Sequence, residues 1–178
     1  MRLSLILAVV AATAASVHAQ RPVTFSLAGG LSAPHSDLRG TADLGWHALG
    51  GLNVGSIMLP LGIRLEAAYN RFGIKDAAQA SLGTGSHNVL SLTGNLTYRL
   101  PMTNSPLAPY LIGGLGAYRT TCDADISCGS STEFGWNVGM GVRLYALGLR
   151  PFVEGRFHNS ERGTANLHYF PVTLGLTF

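Results

Sequence analysis

The chain has 178 residues, which is enough for one domain of ordinary size. Hydrophobic residues make up 47% of it and charged residues only 12%, about half the charged share of a typical soluble domain. The net charge of +3 comes mainly from scattered arginines, with Lys75 as the only lysine, so the sequence lacks the basic run expected of a nucleic-acid-binding protein.

Residues 1–19 have the pattern of a secretory signal peptide. Arg2 precedes an apolar run over 3–15, and the segment ends Val17-His18-Ala19, which fits the small-x-small rule for cleavage. The apolar run is shorter than the roughly 18 to 20 residues that a helix needs to cross a bilayer. We therefore predict an exported protein with a single domain over 20–178.

Eight segments of the mature part alternate apolar residues with small or polar ones, as β-strands do. They run over 22–31, 44–55, 61–72, 87–100, 109–119, 133–145, 149–159 and 165–178. The fifth is rich in glycine and has large apolar residues on both faces, so its facing is left open. The connections after segments 2, 4 and 6 are short and rich in Pro or Gly, whereas the others are more polar and mostly longer.

The position of the charges decides between a barrel in water and a barrel in lipid. A soluble lipocalin-type barrel has an apolar inner face and a charged outer face. Here the charges lie opposite the bulky apolar faces, among small residues that suit a narrow interior. The inward charges are Arg64, Glu66, Arg99, Arg143, Glu154 and Arg156. Since only a helix or a closed barrel satisfies its backbone in lipid, the sequence predicts an all-β fold, a closed antiparallel up-and-down transmembrane β-barrel of about eight strands.

Aromatic residues near the strand ends suit the interfacial girdles of such a barrel. They are Trp46, Tyr69, Phe72, Tyr98, Phe134, Trp136, Phe157 and Phe170. Each segment contains about 10 to 14 residues, which is enough to cross the thin outer-membrane core when the strand is tilted. Outer-membrane lipid is therefore an expected partner.

Three segments, 109–118 (PYLIGGLGAY), 150–158 (RPFVEGRFH) and 172–178 (VTLGLTF), carry a family resemblance. With the strand count and the export signal, the mature chain resembles the small eight-stranded outer-membrane barrels of the OmpA/OmpX type, often described as porin-like. The resemblance implies a place in the outer membrane of a Gram-negative cell envelope. It also implies a C-terminal signal for the barrel assembly machinery, formed by Leu174, Leu176 and Phe178.

The two cysteines, Cys122 and Cys128, lie in one polar segment with five residues between them. Metal binding would usually supply more Cys or His nearby, so for an exported chain a short-loop disulfide is the favoured interpretation over two free thiols.

Candidate catalytic and metal-binding residues are few. The histidines at 35, 47, 87 and 168 are scattered, which indicates barrel-rim or loop positions and predicts no metal or cofactor. His158 and Ser160 share a strand face with Glu154, and lipid A deacylases are outer-membrane barrels that use a His-x-Ser pair on a strand. In those enzymes the pair faces the lipid, whereas here His158 shares the inward face. We therefore predict a protein that is not an enzyme, with a lipid A deacylase-like enzyme as a remote alternative.

The inward charges have two functional interpretations, a salt-bridge plug that stabilises the lumen or a charged constriction that filters solutes. Side chains about fill the interior of an eight-stranded barrel, which favours the plug. The excess of arginine over glutamate makes a narrow anion-favouring channel the alternative. We therefore predict a structural or surface-interaction barrel, and the longest loop, over 71–86, indicates no particular surface ligand.

Overall fold

The structure, a computed structural model, describes residues 23–55, 60–76, 85–102, 105–124, 129–145, 150–162 and 165–178. Eight antiparallel strands form a closed barrel in sequence order, in which β8 pairs with β1. The strands are β1 (Val23–His35), β2 (Gly45–Gly55), β3 (Leu61–Gly73), β4 (Gly85–Arg99), β5 (Leu107–Ala124), β6 (Ser130–Leu144), β7 (Arg150–Arg162) and β8 (Ala165–Thr177). The predicted fold class is confirmed, while the predicted signal peptide over 1–19 lies outside the described residues and stays a prediction.

Burial along the strands is inverted relative to a soluble protein. Leu27, Leu92 and Met140 are more than 60% exposed, although they are among the most apolar side chains of their strands. Most of the charged and polar residues between the apolar positions are buried inside the barrel. This is the arrangement of a barrel whose outer face contacts lipid. Within the described residues, no helix has the length and apolar character needed to cross a membrane.

The facing of β5, which the sequence left open, is now defined. Tyr110, Ile112 and Tyr118 point inward and are at most 2% exposed, whereas Leu111 and Leu115 point outward. The inner face of β5 therefore carries aromatic bulk that the lumen has to accommodate.

Glycines on the inner face of β6 provide that space. A Cβ on Gly141 would lie 2.6 Å from the Tyr110 hydroxyl oxygen, and one on Gly139 would overlap the side chain of Arg156. Large side chains from β5 and β7 thus lie directly over the β6 backbone. The small residues that alternate with apolar ones in the sequence of β6 are therefore the positions against which lumen side chains such as Arg156 pack.

The connections define the two ends of the barrel. Connections 56–60, 100–106 and 145–149 lie at the end where β1 begins and β8 finishes, which is the periplasmic end in barrels of this type. The longest connections, 36–44 and 74–84, lie at the opposite, extracellular end. Most of the strands, including β1, β4, β5, β6 and β7, also extend further toward this end than the sequence predicted.

The first extracellular connection covers part of the lumen. It contains a short helix, α1 (Asp37–Thr41), followed by a β-bridge between Ala42 and Ile74 that ties it to the end of β3. Leu38 and Ala42 of this connection belong to a cluster of buried side chains, whose other members are Phe72, Val89, Tyr118, Leu167 and Tyr169. The extracellular end of the described interior therefore contains an apolar cluster, with the buried polar side chains of Asn70 and Thr120 beside it.

The assignment of Phe72 to an interfacial girdle is wrong. Its side chain is fully buried and packs edge to face against Tyr169, with ring centroids 5.7 Å apart. The reason is its position in β3, where Phe72 continues the inward face of Glu66 and Asn70 rather than the lipid face of Tyr69.

Candidate functional site in the barrel lumen

Four of the six inward charges form one network, here called the charge tetrad: Arg64, Glu66, Glu154 and Arg156. The Arg64 guanidinium donates to Glu154 at 2.9 Å and lies 3.6 Å from Glu66. Arg156 donates to Glu66 at 2.6 Å and also to Glu154. All four side chains are at most 3% exposed. Each carboxylate is thus paired with both arginines.

The tetrad crosses the lumen from wall to wall. Arg64 and Glu66 belong to β3, and Glu154 and Arg156 belong to β7, which is the strand four places away in either direction around the barrel. Ion pairs between opposite walls occupy the full width of the interior. With two positive and two negative groups, the tetrad has no net charge.

Neighbouring polar groups supply further hydrogen bonds to the tetrad, while Arg64 Nη2 and Arg156 Nη1 are buried without a hydrogen-bond partner among the described residues. Tyr110 donates its hydroxyl to Glu154 at 2.7 Å, and Arg64 Nε donates to the Asn53 side-chain oxygen at 2.8 Å. Asn53 in turn donates to Ser26. The register explains the approach of Asn53, because it lies directly opposite Arg64 in the β2–β3 pair. Such additional hydrogen bonds are what allow ions to remain buried.

His47 forms a second polar group in the interior, and the expectation of a rim or loop position for it is wrong. Its Nδ1 lies 3.0 Å from the Ser32 hydroxyl and its Nε2 lies 2.9 Å from the Thr173 hydroxyl. Since Ser32 donates to Asn70, Nδ1 of His47 donates to Ser32, and a neutral ring accepts from Thr173 at Nε2. His47 therefore connects three strands rather than presenting a free imidazole.

The His158 and Ser160 pair lies inside the barrel. His158 is 4% exposed, its Nδ1 lies 3.0 Å from the Tyr118 hydroxyl, and its ring stacks on Tyr169. Glu154, the candidate acid, is held by the two arginines of the tetrad. The arrangement orients His158 through aromatic contacts and directs Ser160 away from lipid.

The other two inward charges, Arg99 and Arg143, lie outside the tetrad, at the periplasmic end. Together with Arg150 and Tyr145 they line a cavity of about 240 Å³. The Arg143 guanidinium lies 5.3 Å from the centre of the Tyr110 ring, a ring that Arg64 contacts as well. Tyr110 therefore connects the tetrad to this cavity.

Sequence reasoning missed Tyr110, Asn53, Arg150 and Tyr145. The last two had a usable signal, because residues that directly flank short connections lie at one end of a barrel. A cavity lined by His47, His158, Glu66 and Arg156 measures about 10 Å³, about what one water molecule needs.

The remaining predicted residues lie at the ends of the barrel. Leu174, Leu176 and Phe178 have exposed side chains on the outer face, and Phe178 exchanges backbone hydrogen bonds with Phe25. Cys122 lies in β5, but Cys128 is outside the described residues, so the disulfide stays a prediction. The described part of the chain contains no group of three or more metal-ligating side chains.

A closed eight-stranded barrel with an apolar outer face and a charged, buried interior defines an integral outer-membrane barrel protein. The family model of the outer membrane protein beta-barrel domain matches residues 5–178. The chain belongs to this family, and its location is the outer membrane. No curated protein sequence matches it.

Solved structures show the same fold at low sequence identity. Neisserial surface protein A is 16% identical, with a TM-score of 0.68 over 87% of this chain and 95% of the other. The attachment invasion locus protein Ail of Yersinia pestis is 15% identical, with a TM-score of 0.56 over 89% of this chain and 99% of the other. The outer membrane enzyme PagL is 17% identical, with a TM-score of 0.54 over 87% and 98%. At these identities the likeness concerns the fold alone.

Proposed function

We propose that the protein is a structural or surface-interaction barrel whose lumen is closed by paired charges. The observation that carries the proposal is the charge tetrad, which joins β3 to β7 across the full lumen with each carboxylate paired to two arginines. A solute passing through the barrel would have to break ion pairs that have almost no access to solvent. With transport disfavoured, the surfaces available for function are the two ends.

The extracellular end supports the same proposal. The apolar cluster beneath α1 places Phe72, Val89 and Tyr169 above the polar layers, and each of the three is fully buried. A hydrated path would have to cross this apolar layer in addition to the tetrad. Loops carried on a rigid scaffold commonly hold the specific function, which favours the extracellular connections as the interacting surface.

The structural neighbours do not decide among functions, since their names include a surface protein, an attachment and invasion protein and an enzyme. The non-enzymatic proposal depends instead on His158, whose ring is engaged by Tyr118 and Tyr169 inside the barrel. A lipid substrate on the outer face has no direct approach to that ring.

A narrow anion-favouring channel is the second candidate. The observation that favours it is the group of arginines at the periplasmic end, Arg99, Arg143 and Arg150, which would raise the local concentration of anions. In this alternative the tetrad opens transiently, and the arginine group determines the ion selectivity.

Conductance in planar bilayers distinguishes the two candidates. For the purified protein we expect no stable conductance steps. An Arg64→Ala, Glu154→Ala double variant removes one ion pair without changing the net charge. Conductance of this variant would show that the tetrad is what closes the lumen, whereas no conductance would assign the closure to the apolar cluster as well. Anion-selective steps from the unmodified protein, altered by Arg143→Gln, would contradict the proposal and support the channel.

A further inference from the structure

The periplasmic mouth of the barrel contains a cavity that the closed-lumen proposal does not use. It measures about 240 Å³ and is lined by the three arginines Arg99, Arg143 and Arg150, together with Tyr145 and smaller polar residues. Arg99 is the last residue of β4, Arg150 is the first of β7, and Arg143 is next to last in β6. Three strand ends thus bring three guanidiniums to one opening.

The charged residues that line this opening are all arginines. In the sequence, connections 56–60, 100–106 and 145–149 contain no Asp or Glu. The carboxylates deeper in the barrel, Glu66 and Glu154, are each already paired with both arginines of the tetrad. The positive excess of the lumen residues is therefore concentrated at the periplasmic mouth and not within the tetrad.

The Arg143 side chain is positioned by contacts within the barrel. Arg143 stacks on the ring of Tyr110, and among the described residues its buried Nε has no hydrogen-bond partner. Tyr145 follows β6 outside the membrane-spanning strands, and its pKa responds to the positive charge of the nearby arginines. Partial burial alone would raise its pKa, yet hydrogen bonds and the positive charges of Arg143 and Arg99 lower the pKa of Tyr145 below its usual value.

We infer that this cavity binds a compact oxyanion of the phosphate class from the periplasmic side. Guanidiniums present forked donors that match the tetrahedral oxygens of phosphate, and a buried unpaired N–H calls for an acceptor. Three arginines offer more donors than one carboxylate can accept, which favours a dianion with several oxygens. The volume accommodates free phosphate or the phosphate of a lipid headgroup, and both have the same chemistry.

Isothermal titration calorimetry with inorganic phosphate tests the inference on the full mature chain in a phosphate-free maltoside detergent. We expect saturable binding that Arg143→Gln and Arg150→Gln each weaken about tenfold or more, the loss expected for one charged hydrogen bond. Arg119→Gln is the matched control, because Arg119 is exposed on the outer face near the extracellular end of β5. Its affinity should stay within about twofold of the unmodified protein.

Arg150 is exposed at the start of β7, so its variant keeps the test valid even if Arg143→Gln fails to fold. Absence of saturable heat with the unmodified protein would overturn the inference, as would equal affinity in all three variants. Acetate binding as tightly as phosphate would also overturn the phosphate class.

Competition distinguishes the source of the anion. Short-chain phosphatidylglycerol that displaces inorganic phosphate would support a lipid headgroup as the ligand. Displacement by methyl phosphate but not by the lipid would support a small soluble phosphate. The conductance experiment is independent of both results, because the cavity lies on the periplasmic side of the tetrad.

Discussion

The charge tetrad places four ionised groups where water has almost no access. Removing an ion from water costs several kcal/mol, and a buried pair offsets this only when geometry and further hydrogen bonds are good. Here each carboxylate meets two arginines, and Tyr110 and Asn53 supply further hydrogen bonds. The network stabilises the barrel only as a complete set, so the loss of one member should cost more than the loss of an exposed charge.

Glu154→Gln tests this at the level of one residue. The substitution leaves Arg64 and Arg156 buried with a single carboxylate between them, and we expect a decrease of about 3 kcal/mol in the free energy of unfolding. Urea unfolding in lipid vesicles measures it. The exposed Asp43 provides the control, since Asp43→Asn should change the stability by less than about 0.5 kcal/mol. Equal effects of the two substitutions would contradict a cooperative tetrad.

The sequence predicted that Arg64, Glu66, Glu154 and Arg156 face inward, because alternation alone assigns a residue to a face. It did not predict which charges pair, because pairing depends on the height of each residue along the barrel axis. That height depends on the stagger between strands, which the pattern of one strand does not contain. Arg143 shares the inward face and still lies below the tetrad, at the periplasmic cavity.

At the level of elements, the clear alternation of most strands predicted which face of each strand points inward. The sequence of β5 did not allow that prediction. Its inner face carries Tyr110 and Tyr118, which bind Glu154 and His158, so both faces of the strand are apolar in composition. The helix α1 was missed for a related reason. A five-residue helix is too short to show a period, and its buried Leu38 reads in sequence as an ordinary loop residue.

The C-terminal strand carries a separate prediction at this scale. Leu174, Leu176 and Phe178 face the lipid, as expected for a signal read by the assembly machinery before the barrel closes. Phe178→Ala should lower the amount of folded protein in the outer membrane several-fold, measured by heat-modifiable gel mobility of isolated outer membranes. Phe134→Ala removes an aromatic of similar exposure from β6 and is the control. An equal decrease in folded protein for both variants would contradict a specific C-terminal signal, because it would show that the loss of any lipid-facing aromatic side chain has the same effect.

At the scale of the whole molecule, the lumen consists of three layers that follow one another along the barrel axis. A positively charged cavity opens to the periplasm, the neutral tetrad crosses the middle, and an apolar cluster lies beneath α1 at the extracellular end. The arginine charge that made an anion channel a reasonable alternative thus lies outside the part of the lumen that the tetrad crosses. We therefore predict that small charged molecules enter from the periplasmic side and stop at the tetrad.

Thiol labelling along the lumen tests this most directly. In a Cys122→Ser, Cys128→Ser background, single cysteines replace Thr24, which lines the periplasmic cavity, and Ser91, which is buried beyond the tetrad. A small anionic methanethiosulfonate is added in detergent micelles, where both ends of the barrel are accessible. We predict that Thr24→Cys reacts readily and that Ser91→Cys reacts only after unfolding. Comparable labelling of the two cysteines in the folded protein would contradict the closed lumen.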